Sequence, residues 1–172
     1  MKQFLVNFWK IESHIRAHIY LTRAISRLLI VGPYVAMLLD RLLLIVYGID
    51  LNSTSIKIQK LSISHPVGIL LGGNGIISSG RVAIMAGVKF VARSPLAPEY
   101  LKLHKERRVF RLGDNVVIGT GVVLIGPLEV CDDVVIGAMS LVNKNILEPG
   151  VYVGTPAKKI SDNVTNEWVA HL

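Results

Sequence analysis

Two side chains in this sequence combine a type and a spacing suited to chemistry. His65 supplies an imidazole in the segment HPVGILLGG, and Asp50 supplies a carboxylate fifteen residues earlier, in GIDLN. An imidazole exchanges protons near neutral pH. A carboxylate on its far ring nitrogen fixes the tautomer and stabilises the imidazolium. Such a pair can draw the proton from a hydroxyl, which is otherwise a poor nucleophile. Each residue also has a plainer reading, as a surface histidine at a turn and an aspartate capping one. Other chemistries find little support. GGNG at Gly72 to Gly75 is not a phosphate loop, because no Gly-Lys-Ser/Thr follows and no helix pattern opens there. No His, Cys, Asp or Glu cluster has metal-ligand spacing, so no metal is expected. Cys131 is the only cysteine, which excludes an internal disulfide and fits a reducing compartment.

A repeat must position these residues. From Leu112 an aliphatic side chain recurs every six positions, at Ile118, Leu124, Val130, Ile136 and Val142. A second marker follows each by four, at Val116, Val122, Leu128, Val134, Ser140 and Ile146. A period of six is neither helical nor a simple strand alternation. It predicts a parallel β-helix, in which each hexapeptide is a short strand plus a turn and neighbouring coils stack. A coil of three hexapeptides is about eighteen residues, so a step of fifteen returns the chain to nearly the same corner. Earlier coils are less regular: Ile56, Ile58, Ile63 and Ile69 have strand-like spacing, and Val82 and Val88 resume the six-residue step. Residues 93–111, RSPLAPEYLKLHKERRVFR, break it with two prolines and a basic run. They read as a loop excursion, and loops of this length are commonly functional. The basic run (Lys102, Lys105, Arg107, Arg108, Arg111) is either a solvated surface or a device that steers an anionic substrate.

Residues 1–47 form a separate N-terminal helical segment, residues 48–160 the β-helix domain, and 161–172 a polar C-terminal tail with a short helix expected. Phe8, Ile11, Ile15, Ile19 and Leu21 are helically spaced with Lys10, Arg16, Arg23 and Arg27 between them, and Gly32-Pro33 divides the segment into two helices. The second helix is nearly all apolar, yet it is too short to cross a membrane, which takes about 20 apolar residues. Its Asp40-Arg41 pair would also be costly in lipid. A cap that packs on the core or forms an oligomer is the better reading. The basic, amphipathic first helix leaves peripheral contact with an anionic membrane open.

The chain has 172 residues, a formal net charge of +7 and 18% charged residues, which suits one domain with anionic partners. Nucleic acid ranks low, since no recognition motif is present and few aromatics interleave with the basic residues. MKQFLVNFWKIESHIR lacks the apolar run of a signal peptide, so a cytoplasmic location is expected, with the inner face of the membrane as the peripheral option.

The segments HPVGILLGGNGIISSGRVAIMAGV, LGDNVVIGTGVVLIGPLEVCDDVVIGAMSLV and GTPAKKI resemble the serine O-acetyltransferase branch of the hexapeptide acyltransferases. The resemblance covers roughly residues 48–160 and is closest in style to members that modify bacterial capsule or exopolysaccharide sugars. Their N-termini are short, whereas serine acetyltransferases carry a longer helical domain. It implies a left-handed β-helix, a homotrimer, and acetyl-CoA in a groove between neighbouring subunits. It makes His65 the general base and Asp50 its carboxylate partner. It assigns coenzyme A to Thr120, Ala138 and the element Gly154, Thr155, Pro156, Lys158 and Lys159, with the lysines meeting phosphates as point charges. Backbone N–H groups near the turns would meet the thioester oxyanion.

Two departures bear on the acceptor. Ser64 stands where the serine enzymes place an Asp before the catalytic His. Arg108-Val109-Phe110 replaces an Arg-His-Pro element, which keeps Arg108 and loses the second histidine; His104 is a candidate replacement. The expected acceptor is therefore a sugar hydroxyl of a capsular or exopolysaccharide glycan or its precursor. L-Serine, as in cysteine biosynthesis, is the alternative. A third reading is a non-catalytic β-helix scaffold. A metal-binding variant like the related carbonic anhydrases would need several histidines at coil edges, and only His65 lies in the β-helix body outside the excursion.

Overall fold

The computed structural model describes residues 11–28 and 30–164. The sequence expectations for Phe8, Lys10 and a helix in the last residues of the tail lie outside the described residues. Two helices open the structure, α1 (Ile11–Ile25) and α2 (Gly32–Tyr47). Buried residues on α1 are Ile15, Ile19 and Thr22, one stripe at helical spacing. On α2 the buried stripe is Gly32, Ala36, Asp40 and Leu43. Pro33 sits in the first turn of α2, and Gly48 ends that helix in the left-handed conformation (φ 67°).

Asp40, a misfit in an apolar helix, is what fastens α2 to the body. Its carboxylate accepts the Ser53 backbone N–H at 2.9 Å and the Ser53 hydroxyl at 2.5 Å. His18 Nε2 lies 3.5 Å away on α1. A buried carboxylate is tolerable when hydrogen bonds replace its water.

The body is a parallel β-helix with three faces. Face one stacks β1 (Ile49–Leu51), β3 (Ile69–Leu71), β5 (Lys89–Ala92), β8 (Val123–Gly126) and β11 (Leu141–Val142). Face two stacks the first halves of β2 (Ile56–Ile63) and β4 (Ile76–Ile84), then β6 (Phe110–Leu112) and β9 (Leu128–Val130). Face three stacks their second halves, then β7 (Val116–Ile118), β10 (Val134–Ile136) and β12 (Gly150–Gly154). All these pairs are parallel; only the closing hairpin of β12 with β13 (Ala157–Ser161) is antiparallel. The hexapeptide markers from Leu112 to Ile146 are all buried, and they point into one continuous core.

The coils differ in length. Val116 pairs with Val134 and Val123 with Leu141, the eighteen-residue step of the later coils. Ile49 pairs with Ile69, a step of twenty, so Asp50 stacks on Leu70 rather than near His65. The added length is visible in the turn that follows face three. Residues 64–69 make that turn in the first coil, where residues 85–88, 119–122 and 137–140 make it higher up.

The excursion is more ordered than a loop. It holds a helix, α3 (Pro98–Glu106), with Pro98 in its first turn and Arg107 closing it at φ 56°. Tyr100 anchors that helix in the core, and Asn74 donates a 2.8 Å hydrogen bond to the His104 carbonyl. The excursion also ends earlier than its sequence suggests, because Phe110 and Arg111 already belong to β6. Phe110 is fully buried and meets Phe90 edge to face at 4.9 Å between ring centroids. A Cβ added to Gly126 would lie 2.6 Å from the Phe110 ring, so this position needs glycine.

Candidate active site

His65 lies in the lengthened turn, between the end of β2 and the start of β3. It is exposed, and its backbone is in the left-handed region at φ 53°. A non-glycine residue there is sterically disfavoured and persists only where its surroundings hold it. Here the turn is pinned by stacking. Ser64 donates to the Ile84 carbonyl at 3.0 Å, Gly68 to Gly48 at 3.1 Å, and Gly87 to Val67 at 3.0 Å. The backbone is fixed and the imidazole is left facing solvent. Among the described residues no hydrogen bond or ion pair occupies it.

The same corner continues up the β-helix as a column of short side chains. Ala86, Thr120 and Ala138 occupy successive turns, each joined to the next coil through backbone hydrogen bonds. Gly121 donates to the Ala86 carbonyl and Met139 to the Thr120 carbonyl, both at 2.8 Å. Thr120 and Ala138 are exposed. At the top, Gly154 N–H donates to Ser140 Oγ at 3.1 Å, which brings the Gly154-Thr155-Pro156 turn onto the same edge. The structure thus aligns His65, Thr120, Ala138 and Gly154 along one edge of the prism. A long, thin ligand could lie against this strip of accessible backbone.

Asp50 borders the foot of this edge, two residues beyond Gly48 on β1, but it is not bonded to His65. Its carboxylate is 3.6 Å from Arg41 of α2, half exposed. The expected His65–Asp50 contact is absent within this chain, for the reason given by the twenty-residue coil.

The two lysines of GTPAKK are separated by strand alternation. Lys159 is held by Asp162 at 2.6 Å and Glu148 at 3.3 Å. The hydrogen bond to Asp162, with the one to Glu148, raises its pKa above the usual lysine value. Lys158 is exposed, and among the described residues it has no such partner.

The remaining candidates sit elsewhere. Arg108 follows α3 and binds Glu106 at 2.7 Å, which pulls the Glu106 carboxyl below its ordinary range. It lines a cavity of about 650 Å³ with Ser78, Arg111 and Asp132 beside face two. His104 is exposed on α3, tilted against the Tyr100 ring at 5.6 Å. Arg108 and His104 therefore flank the corner between faces one and two, whereas Ser64 and His65 occupy the corner between faces three and one. Val109, where the resemblance leads one to look for a second histidine, is 1% exposed and part of the core. That slot points inward here, so no side chain at it can face a substrate.

The sequence reading missed Arg41 as the partner of Asp50. The only trace was the adjacent Asp40-Arg41 pair, read there as a cost rather than as two contacts. Among the described residues no group of three His, Cys, Asp or Glu side chains could hold a metal, and no helix is long and apolar enough to cross a membrane.

No family model matches this sequence. Curated relatives nevertheless share much of it. Serine acetyltransferase of Helicobacter pylori (strain ATCC 700392 / 26695) is 29% identical over 128 residues, covering 74% of this chain and 70% of the relative. Serine acetyltransferase of Mycobacterium tuberculosis is 26% identical over 119 residues, 69% of this chain and 48% of the relative. That of Buchnera aphidicola subsp. Schizaphis graminum is 31% identical over 115 residues, 67% of this chain and 41% of the relative. The chain thus spans about half the length, or less, of several curated relatives it matches. Among solved structures, serine acetyltransferase from Vibrio cholerae O1 biovar El Tor N16961 superposes with a TM-score of 0.75 at 17% identity, covering 92% of this chain and 57% of that one. The Brucella abortus strain S19 enzyme gives 0.73 at 20% identity, with 90% and 58% covered.

The fold shared with these structures is the left-handed parallel β-helix. Fold and sequence together make the chain similar to the hexapeptide-repeat acyltransferases. Within that group its relatives and structural neighbours are serine acetyltransferases, and this overturns the expected capsular or exopolysaccharide acceptor. The changes at Ser64 and Val109 had suggested a sugar, but a residue lost from a recognition site does not identify what replaces the ligand. In the case of Val109 the change reflects core packing.

Proposed function

We propose that this chain transfers the acetyl group of acetyl-CoA to the side-chain hydroxyl of L-serine, giving O-acetylserine and coenzyme A. The observation that carries the reading is the unoccupied imidazole of His65 at the foot of the Ala86–Thr120–Ala138 column. The column suits the pantetheine arm, because short side chains let it reach the backbone amides and carbonyls. Lys158 at the upper end suits the phosphates. His65 takes the serine hydroxyl proton as the oxygen forms its bond to the thioester carbon. The carbon–sulfur bond then breaks, and the imidazolium returns the proton to the departing thiolate. Asp50 orients the ring once Arg41 is displaced or shared. The chain acts as a homotrimer in which a neighbouring copy brings Arg108 toward the His65 corner.

The test is thiol release from acetyl-CoA by the full chain with and without L-serine, alongside His65→Ala. Serine-dependent release that collapses in the variant supports the reading. Release that is indifferent to serine, or that survives His65→Ala, refutes it.

A further inference from the structure

A second cavity, of about 680 Å³, lies between the two helices and the first coil, on a side of the molecule not used by the column. Its wall carries five cations: Arg23 and Arg27 of α1 and the segment after it, Arg41 of α2, Lys57 of β2, and Arg107 at the end of α3. One carboxylate, Asp40, also lines it, and that group is already taken up by Ser53 and His18. Arg41 leans on Asp50 at 3.6 Å, and Arg107 reaches only a backbone carbonyl, that of Thr54, at 3.3 Å. Among the described residues Arg23, Arg27 and Lys57 meet no carboxylate. Like charges gathered round a concavity repel one another and focus a positive field into it. Their arrangement is favourable only toward an anion. Arginine forks match the oxygens of a phosphate in particular.

The cavity is much larger than a phosphate, and its size is that of a small-molecule site. Pro33, Met37 and Leu51 give it an apolar wall. The Asn52 side-chain oxygen is used by Thr54, through N–H at 3.0 Å and hydroxyl at 2.7 Å, which fixes the amide at the rim. We infer that this cavity is a binding site for a phosphorylated small molecule with an apolar body. Such chemistry comes from a soluble phosphate ester or from the headgroup of an anionic lipid. The second source is relevant because Leu28, Ile30 and Val31 are exposed beside Arg27. The site shares only Arg41 with the acetyl-transfer reading, through its ion pair with Asp50, and neither site variant below touches that pair.

The experiment is calorimetric titration of the full chain with phenyl phosphate and with inorganic phosphate at low salt. Parallel co-sedimentation uses vesicles of phosphatidylcholine alone and of phosphatidylcholine with phosphatidylglycerol. Arg27→Gln and Lys57→Gln are the site variants; both residues are exposed, so the fold is not at stake. Lys144→Gln, an exposed lysine outside the cavity and outside the His65 edge, is the control. Saturable binding of phenyl phosphate at one site per chain is expected, tighter than inorganic phosphate and weakened roughly tenfold by each site variant but not by the control. Binding of anionic vesicles alone, lost in the same variants, assigns the lipid source. No saturation in either arm, or binding indifferent to Arg27→Gln and Lys57→Gln, overturns the inference, as does loss only in the Lys144→Gln control.

Discussion

His65 joins strain and chemistry at one position, and the two can be pulled apart by comparing two substitutions. Its backbone at φ 53° is left-handed. A residue with a Cβ is disfavoured there by about 1–2 kcal/mol. Glycine escapes that cost but loses about 0.5–1 kcal/mol more chain entropy on folding. The exposed ring has no hydrogen bond to lose, so its removal contributes little. His65→Gly should therefore be more stable than His65→Ala by about 0.5–1 kcal/mol, the net of those two terms. At an ordinary extended surface position the order is the reverse. Urea unfolding of both variants at one protein concentration reads the difference. Activity should not follow stability: both variants should lose serine-dependent thiol release by about 10²–10⁴-fold, the usual worth of a general base. If His65→Ala is the more stable variant, the turn does not hold His65 in the left-handed region and the strain argument fails. If either variant keeps its rate, His65 is not the base.

Other perturbations test the frame around it. Phe110→Ala removes a fully buried ring and its edge-to-face partner, and should cost about 3–5 kcal/mol in urea unfolding; a loss below about 1 kcal/mol would mean that Phe110 is not the anchor of the returning excursion. Lys158→Ala should raise the KM for acetyl-CoA roughly twofold to fivefold, whereas Lys159→Ala should leave it unchanged because that ammonium is engaged by Asp162 and Glu148. The Asp114 carboxyl is held below its ordinary range, chiefly by the Arg81 backbone N–H at 2.6 Å. Its folded pKa is depressed, so its contribution is present above the ordinary carboxylate range and lost as pH falls through the lower, folded value. Urea midpoints of the native chain and Asp114→Asn should differ at neutral pH and converge in acid; a constant gap would contradict the assignment.

The later coils were legible because one residue type repeats where one physical demand repeats. Every third of a coil must bury a side chain, and the markers from Leu112 to Ile146 do so, all of them aliphatic but Ser140. The first coil was not, since the residues that lengthen its turn include His65 and Val67, both exposed, so that the apolar Val67 does not mark an inward position. That hidden length is why Asp50 stacks on Leu70 and meets Arg41 in this chain, a neighbour that a spacing of fifteen did not show. The helix α3 was read as loop because only Tyr100 of it is buried, so no apolar stripe marks it; Pro98 in its first turn was the available sign. Asp40 looked like a defect in an apolar helix. Its justification, Ser53, is thirteen residues away and visible only once α2 lies on the first coil. Thr120 and Ala138 were singled out through the family resemblance, and what the fold adds is that both sit in successive turns of one edge.

The placement of Arg108 has a consequence for assembly. It flanks the corner between faces one and two, and His65 the corner between faces three and one. One face of about six residues spans at most about 20 Å, which is more than an arginine side chain covers. A single chain therefore cannot close Arg108 over a hydroxyl held at His65. If both serve one acceptor, they come from different copies, across an interface that joins unlike surfaces and closes into a ring. Such sites complement. His65→Ala and Arg108→Ala chains, each inactive alone, should regain activity when co-expressed, because some interfaces then pair an intact His65 with an intact Arg108. Random mixing at equal amounts predicts on the order of a quarter of the native sites. Activity that stays at the level of the separate variants would mean that Arg108 acts within its own chain or not on the acceptor at all. The acceptor would then have to be recognised by groups at the His65 corner itself, beginning with Ser64.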